Sequence, residues 1–138
     1  MKDNVIDNIS NTVIKKSDIH GEGLFSTNDI TKNSVLCLLD GQYLSYTFVK
    51  KVQSKQTDKE GFLNLEWNQI NNDLLLVRIH PTKYRYINHS RNPNCRVLKE
   101  PMRLVAIKNI SNGEELTLDY REEELGDEYL LDHGISYL

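Results

Sequence analysis

The sequence predicts a mostly β protein, built from short antiparallel strands with one or two small helices. Three observations point there. Short segments rich in Val, Ile, Leu and Thr recur along the chain, each closed by a polar or Gly-bearing turn. No long amphipathic helix joins one to the next, which argues against parallel strand-helix-strand units. The most apolar segment, LLLVRIH at residues 74–80, passes from continuous to alternating hydrophobicity, as a strand near the centre of a small sheet does.

In chain order, strands are expected over residues 13–16, 24–26, 34–39, 74–80, 95–99, 103–108 and 115–118. SYTFVKKVQSK, from Ser45, reads as a short helix, and the charged stretch QTDKEG after it as a surface loop. YRYINHSRNPNC, from Tyr84 to Cys95, has neither helical nor strand period. Its amides and hydroxyls compete with the backbone for hydrogen bonds, so an irregular but structured loop is expected there. Asn112-Gly113 should open a tight hairpin whose second strand is ELTL. A second short helix is expected in EELGDEYLLD at residues 123–132, weakened by Gly126. There is no internal repeat, linker or low-complexity tract.

Composition narrows the function classes. A chain of 138 residues suggests one domain, able to bury roughly 68–70% of its unfolded surface without staples. A charged fraction of 27% and an apolar fraction of 38% fit a globular protein. The net charge of -3 argues against a general binder of phosphate backbones and suits a basic partner. Two cysteines, Cys37 and Cys95, and four scattered histidines give no metal-ligand spacing. The acidic start MKDNVIDNIS lacks the apolar run of a signal peptide, and VLCLL and LLLV are too short to span a bilayer. These features predict a soluble, intracellular protein with no membrane contact and no direct nucleic-acid partner.

Three motifs carry chemistry. HGEGLF, from His20 to Phe25, sets Gly21 and Gly23 around Glu22, so the backbone can turn sharply and approach a ligand closely. It fails as a dinucleotide fingerprint, because Ser26 stands where the third glycine belongs and no helix follows. An ordinary strand-connecting turn is the plainer reading. INHSRNPN is stiffened by Pro93, which biases Asn92 towards extended geometry. A stiff, donor-rich loop suits a polar ligand and equally suits a demanding turn. In NGEELTLDY, Glu114 and Glu115 are strand neighbours that point to opposite faces, which argues against a shared proton. Tyr120 closes that strand beside Asp119, where its phenol can reach a pocket or sit at the rim of the core.

Taken in order, G-x-G, R-Y-I-N-H-S-R-N-P-N and G-E-E-L-T-L-D-Y resemble the SET-domain family of protein lysine methyltransferases. The resemblance runs from Val13 to Tyr120 and looks like a minimal SET domain. It implies a single domain over residues 1–138, with a core at about 13–120 and a C-terminal lid at about 121–138. It also implies the β-clip fold, small antiparallel sheets with the Asn-His segment threaded as a pseudoknot. By resemblance the cofactor is S-adenosylmethionine, held by Asn88 at its amino-acid end, by the backbone of His89 at its adenine and by the main chain of Gly21, Glu22 and Gly23. Arg85 would support the site, Ser90, Pro93 and Asn94 would shape the loop, and Tyr120 would be the catalytic tyrosine.

The implied reaction is transfer of methyl to the lysine amine of a basic protein or peptide, a histone among the candidates. The alternative is a catalytically weak SET-fold module that binds a partner. Leu39 and Val97 stand where many members carry aromatic residues lining the lysine channel, and Arg91 replaces the usual cysteine after Asn-His-Ser. No cysteine cluster follows Tyr120, so no zinc-bound post-domain and no metal are expected. Tyr129 or Tyr137 would close the cofactor or substrate side, and Glu122, Glu123, Glu124, Asp127 and Glu128 form either a steering patch or a solvated face. Localisation is read as cytoplasmic or nuclear, or as that of a secreted effector, and a homodimer that completes the lid is compatible with the chain.

Overall fold

A computed structural model describes residues 5–48, 51, 66–78 and 80–122 of the chain. The chain divides into two compact units: residues 1–39 with 81–120, and residues 40–80 with 121–138.

In the first unit, β1 (Thr12–Lys16) and β2 (Glu22–Ser26) form an antiparallel pair in which Lys16 faces Glu22 and Thr12 faces Ser26. A three-stranded antiparallel sheet has the order β3 (Val35–Leu38), β9 (Arg103–Ala106), β8 (Cys95–Leu98). A two-residue strand β7 (Asn88–His89) runs parallel to β10 (Thr117–Leu118), matching Asn88 to Thr117 and His89 to Leu118. The core of this unit is Ile9, Leu24, Ile87, Leu104, Ile110 and Leu116, all fully enclosed. Each such side chain contributes roughly 1.5–3 kcal/mol by leaving water. Leu24, Ile87 and Leu116 are near neighbours in sequence of Gly23, Asn88 and Glu115, so the core anchors all three motif segments.

The second unit holds an antiparallel sheet of order β4 (Gln42–Ser45), β6 (Leu74–Arg78), β5 (Glu66–Asn71). Leu75 and Val77 form one apolar cluster with Leu44, Tyr46 and Trp67. On the opposite face Arg78 pairs with Glu66, donates from Nη2 to Asn68 Oδ1 at 2.7 Å and from Nη1 to the Asp40 carbonyl at 2.9 Å. A buried ion pair is tolerable only when its remaining donors are satisfied in this way. Residues 46–48 and 51 are helical, as expected after Ser45.

The mostly β class and the central position of residues 74–78 agree with the sequence reading. Three strands were not expected. β4 is short and follows a glycine; β5 is EWNQIN, whose Glu66 and Asn68 are buried against Arg78 of the next strand; β7 has only two residues. The Asn112-Gly113 turn forms, with Glu114 N–H donating to the Ser111 carbonyl at 2.9 Å, but it does not open a hairpin. Glu115 bridges to Phe25 and residues 117–118 pair with β7, because the chain there is captured by two other segments. The expected second helix, the QTDKEG loop, Tyr129 and Tyr137, and the acidic residues from Glu123 onward lie outside the described residues. Among the described residues, no helix is long and apolar enough to cross a membrane.

Candidate cofactor and catalytic site

The G-x-G segment is a tight turn with a built floor. Ser17 N–H donates to the Gly21 carbonyl at 2.8 Å, and Ser17 Oγ accepts from Ile19 N–H at 2.9 Å. Gly21 has φ +48°, a left-handed conformation that side chains disfavour, and a Cβ there would meet only open space. Gly23 is constrained differently. A Cβ at Gly23 would lie 2.2 Å from Glu115 Oε2, so the glycine exists to admit that carboxylate. Glu115 in turn accepts from Ser17 Oγ at 2.8 and 2.9 Å.

Asn88 reaches into the same place. Its Nδ2 donates to the His20 carbonyl at 3.0 Å, the Glu22 carbonyl at 3.2 Å and Glu115 Oε2 at 2.9 Å. All three neighbours are acceptors, so only the amide nitrogen can face them. The amide oxygen therefore faces the other way, and it accepts no hydrogen bond among the described residues. Asn94, buried, fixes the crossing of the two motifs: its Nδ2 donates to the Glu115 carbonyl at 2.8 Å and its Oδ1 accepts from Thr117 N–H at 2.8 Å.

Tyr120 arrives on the far end of β10 and donates its hydroxyl to the Ile87 carbonyl, one residue before Asn88. Its backbone N–H donates to His89 Nδ1 at 3.1 Å, which places the imidazole proton on Nε2. The Asp119 carboxylate, at 3.9 Å from Nδ1, is too far to compete for that atom. The His89 and Tyr120 rings lie 5.2 Å apart and tilted by 43°. Arg85 sits exposed in the 3-10 turn Lys83–Tyr86 that leads into β7, and among the described residues its side chain bonds neither Asn88 nor His89. Asn88, His89, Tyr120 and the Gly21–Gly23 turn are thus drawn together, while Arg85 stands apart.

A family model described as SET domain matches residues 21–121. The chain belongs to the SET-domain family. Curated relatives of this SET domain include a histone-lysine N-methyltransferase, H3 lysine-36 specific, of Mycosarcoma maydis, 31% identical over 83% of this chain and 12% of the relative. Others are histone-lysine N-methyltransferase 2B of Homo sapiens, 30% identical over 78% of this chain and 4% of its own, and the H3 lysine-4 specific enzyme of Schizosaccharomyces pombe, 32% identical over 80% and 13%. The chain therefore spans only a small part of the relatives' length.

The Asn88 amide, its nitrogen turned to the His20 and Glu22 carbonyls and to Glu115, thus lies beside the Gly21 turn, where a Cβ would meet nothing within 4 Å. Of the two positions that the resemblance puts at a lysine channel, Leu39 is buried, with its N–H on the Met102 carbonyl at 2.9 Å, and Val97 is half-buried on β8. Cys95 has no part in such chemistry, because burial pushes its thiol up from 9.0 to about 12. Sequence reasoning missed Ser17 altogether and considered Glu115 only as half of a carboxylate pair. No local signal could reveal them, since their contacts span separations of 98 and 27 residues.

Proposed function

We propose that this SET domain is a protein-lysine N-methyltransferase using S-adenosylmethionine, with a lysine in a basic protein segment as its substrate. The observation that carries the reading is the meeting of Asn88, the Gly21–Gly23 turn and Tyr120 on either side of the β7–β10 crossing. The histone-lysine methyltransferase names of the relatives support it, and make a histone the first substrate to try.

In this reading the Asn88 amide oxygen accepts from the cofactor's ammonium and the main chain of Gly21, Glu22, Gly23 and His89 lines the rest, with Arg85 outside the contact set. The cofactor supplies an activated methyl on a sulfonium. The protein's task is alignment of the incoming amine with it, worth several powers of ten when the geometry is held. Tyr120, whose hydroxyl donates to the Ile87 carbonyl beside Asn88, would accept from the lysine amine at that oxygen and aim it. The amine must arrive neutral, which a desolvated channel beside a positive sulfonium favours. Methyl transfer to the neutral amine would leave the cofactor as its thioether, and the methylated ammonium would shed its proton to water. The nucleus or cytoplasm is where a basic protein substrate would be met.

Core histones incubated with the protein and tritiated S-adenosylmethionine test the proposal, with mass spectrometry locating the label. Label on lysine, lost in Tyr120→Phe while cofactor binding persists, is expected. A folded protein that binds cofactor and a partner but transfers no methyl would instead be a SET-fold binding module.

A further inference from the structure

Glu115 is a half-buried carboxylate whose oxygens fill a space that exists only because residue 23 has no side chain. Its oxygens hold the Ser17 hydroxyl and the Asn88 amide nitrogen, and Ser17 in turn caps the start of the G-x-G turn through the Ile19 N–H. Glu114, its neighbour, faces outward and serves the Ser111 N–H and Asn94.

The polarity of Asn88 is what this carboxylate controls. A primary amide can rotate by half a turn at little steric cost, exchanging a donor for an acceptor at its outer edge. The His20 and Glu22 carbonyls favour the nitrogen inward, at 3.0 and 3.2 Å, and the charged Glu115 oxygen at 2.9 Å adds the stronger, charge-assisted bond. We propose that Glu115 is a positioning residue that fixes the Asn88 amide with its oxygen outward, so that the site selects a ligand bearing an ammonium there. The inference rests on the cofactor reading above and adds to it the residue that sets the site's polarity.

Calorimetric titration of wild type, Glu115→Ala and Glu115→Gln with two ligands tests this: S-adenosylhomocysteine, and its analogue with hydrogen in place of the α-amino group. Wild type should prefer the amino ligand by about tenfold or more, the worth of one hydrogen bond to a charged group. Glu115→Ala should lose that preference while its affinity for the deaminated analogue changes by less than about twofold. Glu115→Gln, which can still present an oxygen to Asn88 and Ser17, should recover it. Equal losses for both ligands in Glu115→Ala would reduce Glu115 to a brace of the turn and overturn the proposal. Side-chain amide NMR of Asn88 in the ligand-free proteins separates the two failures. Unchanged Asn88 resonances in both variants overturn the role of Glu115 itself. Shifted resonances with a wild type that binds neither ligand overturn the cofactor reading and, with it, the selection proposed here.

Discussion

At the scale of single residues, the site rests on Gly23 and Glu115 occupying complementary space. A methyl at Gly23 would fall 2.2 Å from Glu115 Oε2 and 2.8 Å from its Cδ, so Gly23→Ala must expel the carboxylate and release Asn88 and Ser17. Bonds to a charged partner are worth roughly 1.5–3 kcal/mol, and the single variant should lose about that in stability. In a Glu115→Ala background the added methyl finds room, so the double variant should cost about 1–2 kcal/mol less than the sum, read by urea denaturation of all four proteins. Cys95 gives a pH signature. Its thiol stays protonated in the fold until about 12 but ionises from 9.0 in the unfolded chain, so the unfolded state holds fewer protons above that pH. Stability should therefore be full below the lower value and fall above it, by about 1.4 kcal/mol per pH unit from this group. Cys95→Ala should be weaker at neutral pH yet flatter across the alkaline range. That Asn88 and Tyr120 belong to segments worth watching was legible in the sequence, since both sit in spaced motifs; the place of Glu115 was not, because it meets Ser17 and Gly23 far upstream.

Among the elements, the crossing of β7 with β10 decides whether the motifs meet. The parallel ladder has two residue pairs, and Asn94 braces it beside the Tyr120 bonds by holding the Glu115 carbonyl and the Thr117 N–H. Asn94→Ala leaves both backbone groups buried and unpaired. A loss of about 2–4 kcal/mol is expected in denaturant titration, with cofactor affinity falling alongside. β6, β8 and β9 were readable because burial writes itself into their patterns, and β1 and β3 from their Val, Ile and Leu content alone, since Val13, Val35 and Leu38 are exposed. β5 was not. Its Glu66 and Asn68 are polar residues buried because Arg78 answers them from β6, and a buried polar pairing leaves no apolar pattern to read. Arg78→Met should consequently destabilise the protein by about 3–5 kcal/mol, as removal of one member of a buried ion pair does.

For the molecule as a whole, membership of the SET family and the mostly β fold were evident once three motifs were read in order, although each alone was an ordinary turn. Binding of a ligand to the folded state alone stabilises it by mass action. At about 100 times its Kd, S-adenosylhomocysteine should add roughly 2.7 kcal/mol and raise Tm by on the order of 10 °C. Wild type and Asn88→Ala should differ sharply in that response, because only the former presents the outward amide oxygen. The most direct measurement is calorimetric titration of both proteins with S-adenosylhomocysteine, which requires no knowledge of the substrate. A micromolar Kd for wild type, on the order of −8 kcal/mol, that is lost in Asn88→Ala is the expected result. A folded wild type that gives no heat of binding, or an Asn88→Ala variant that binds equally well, would contradict it.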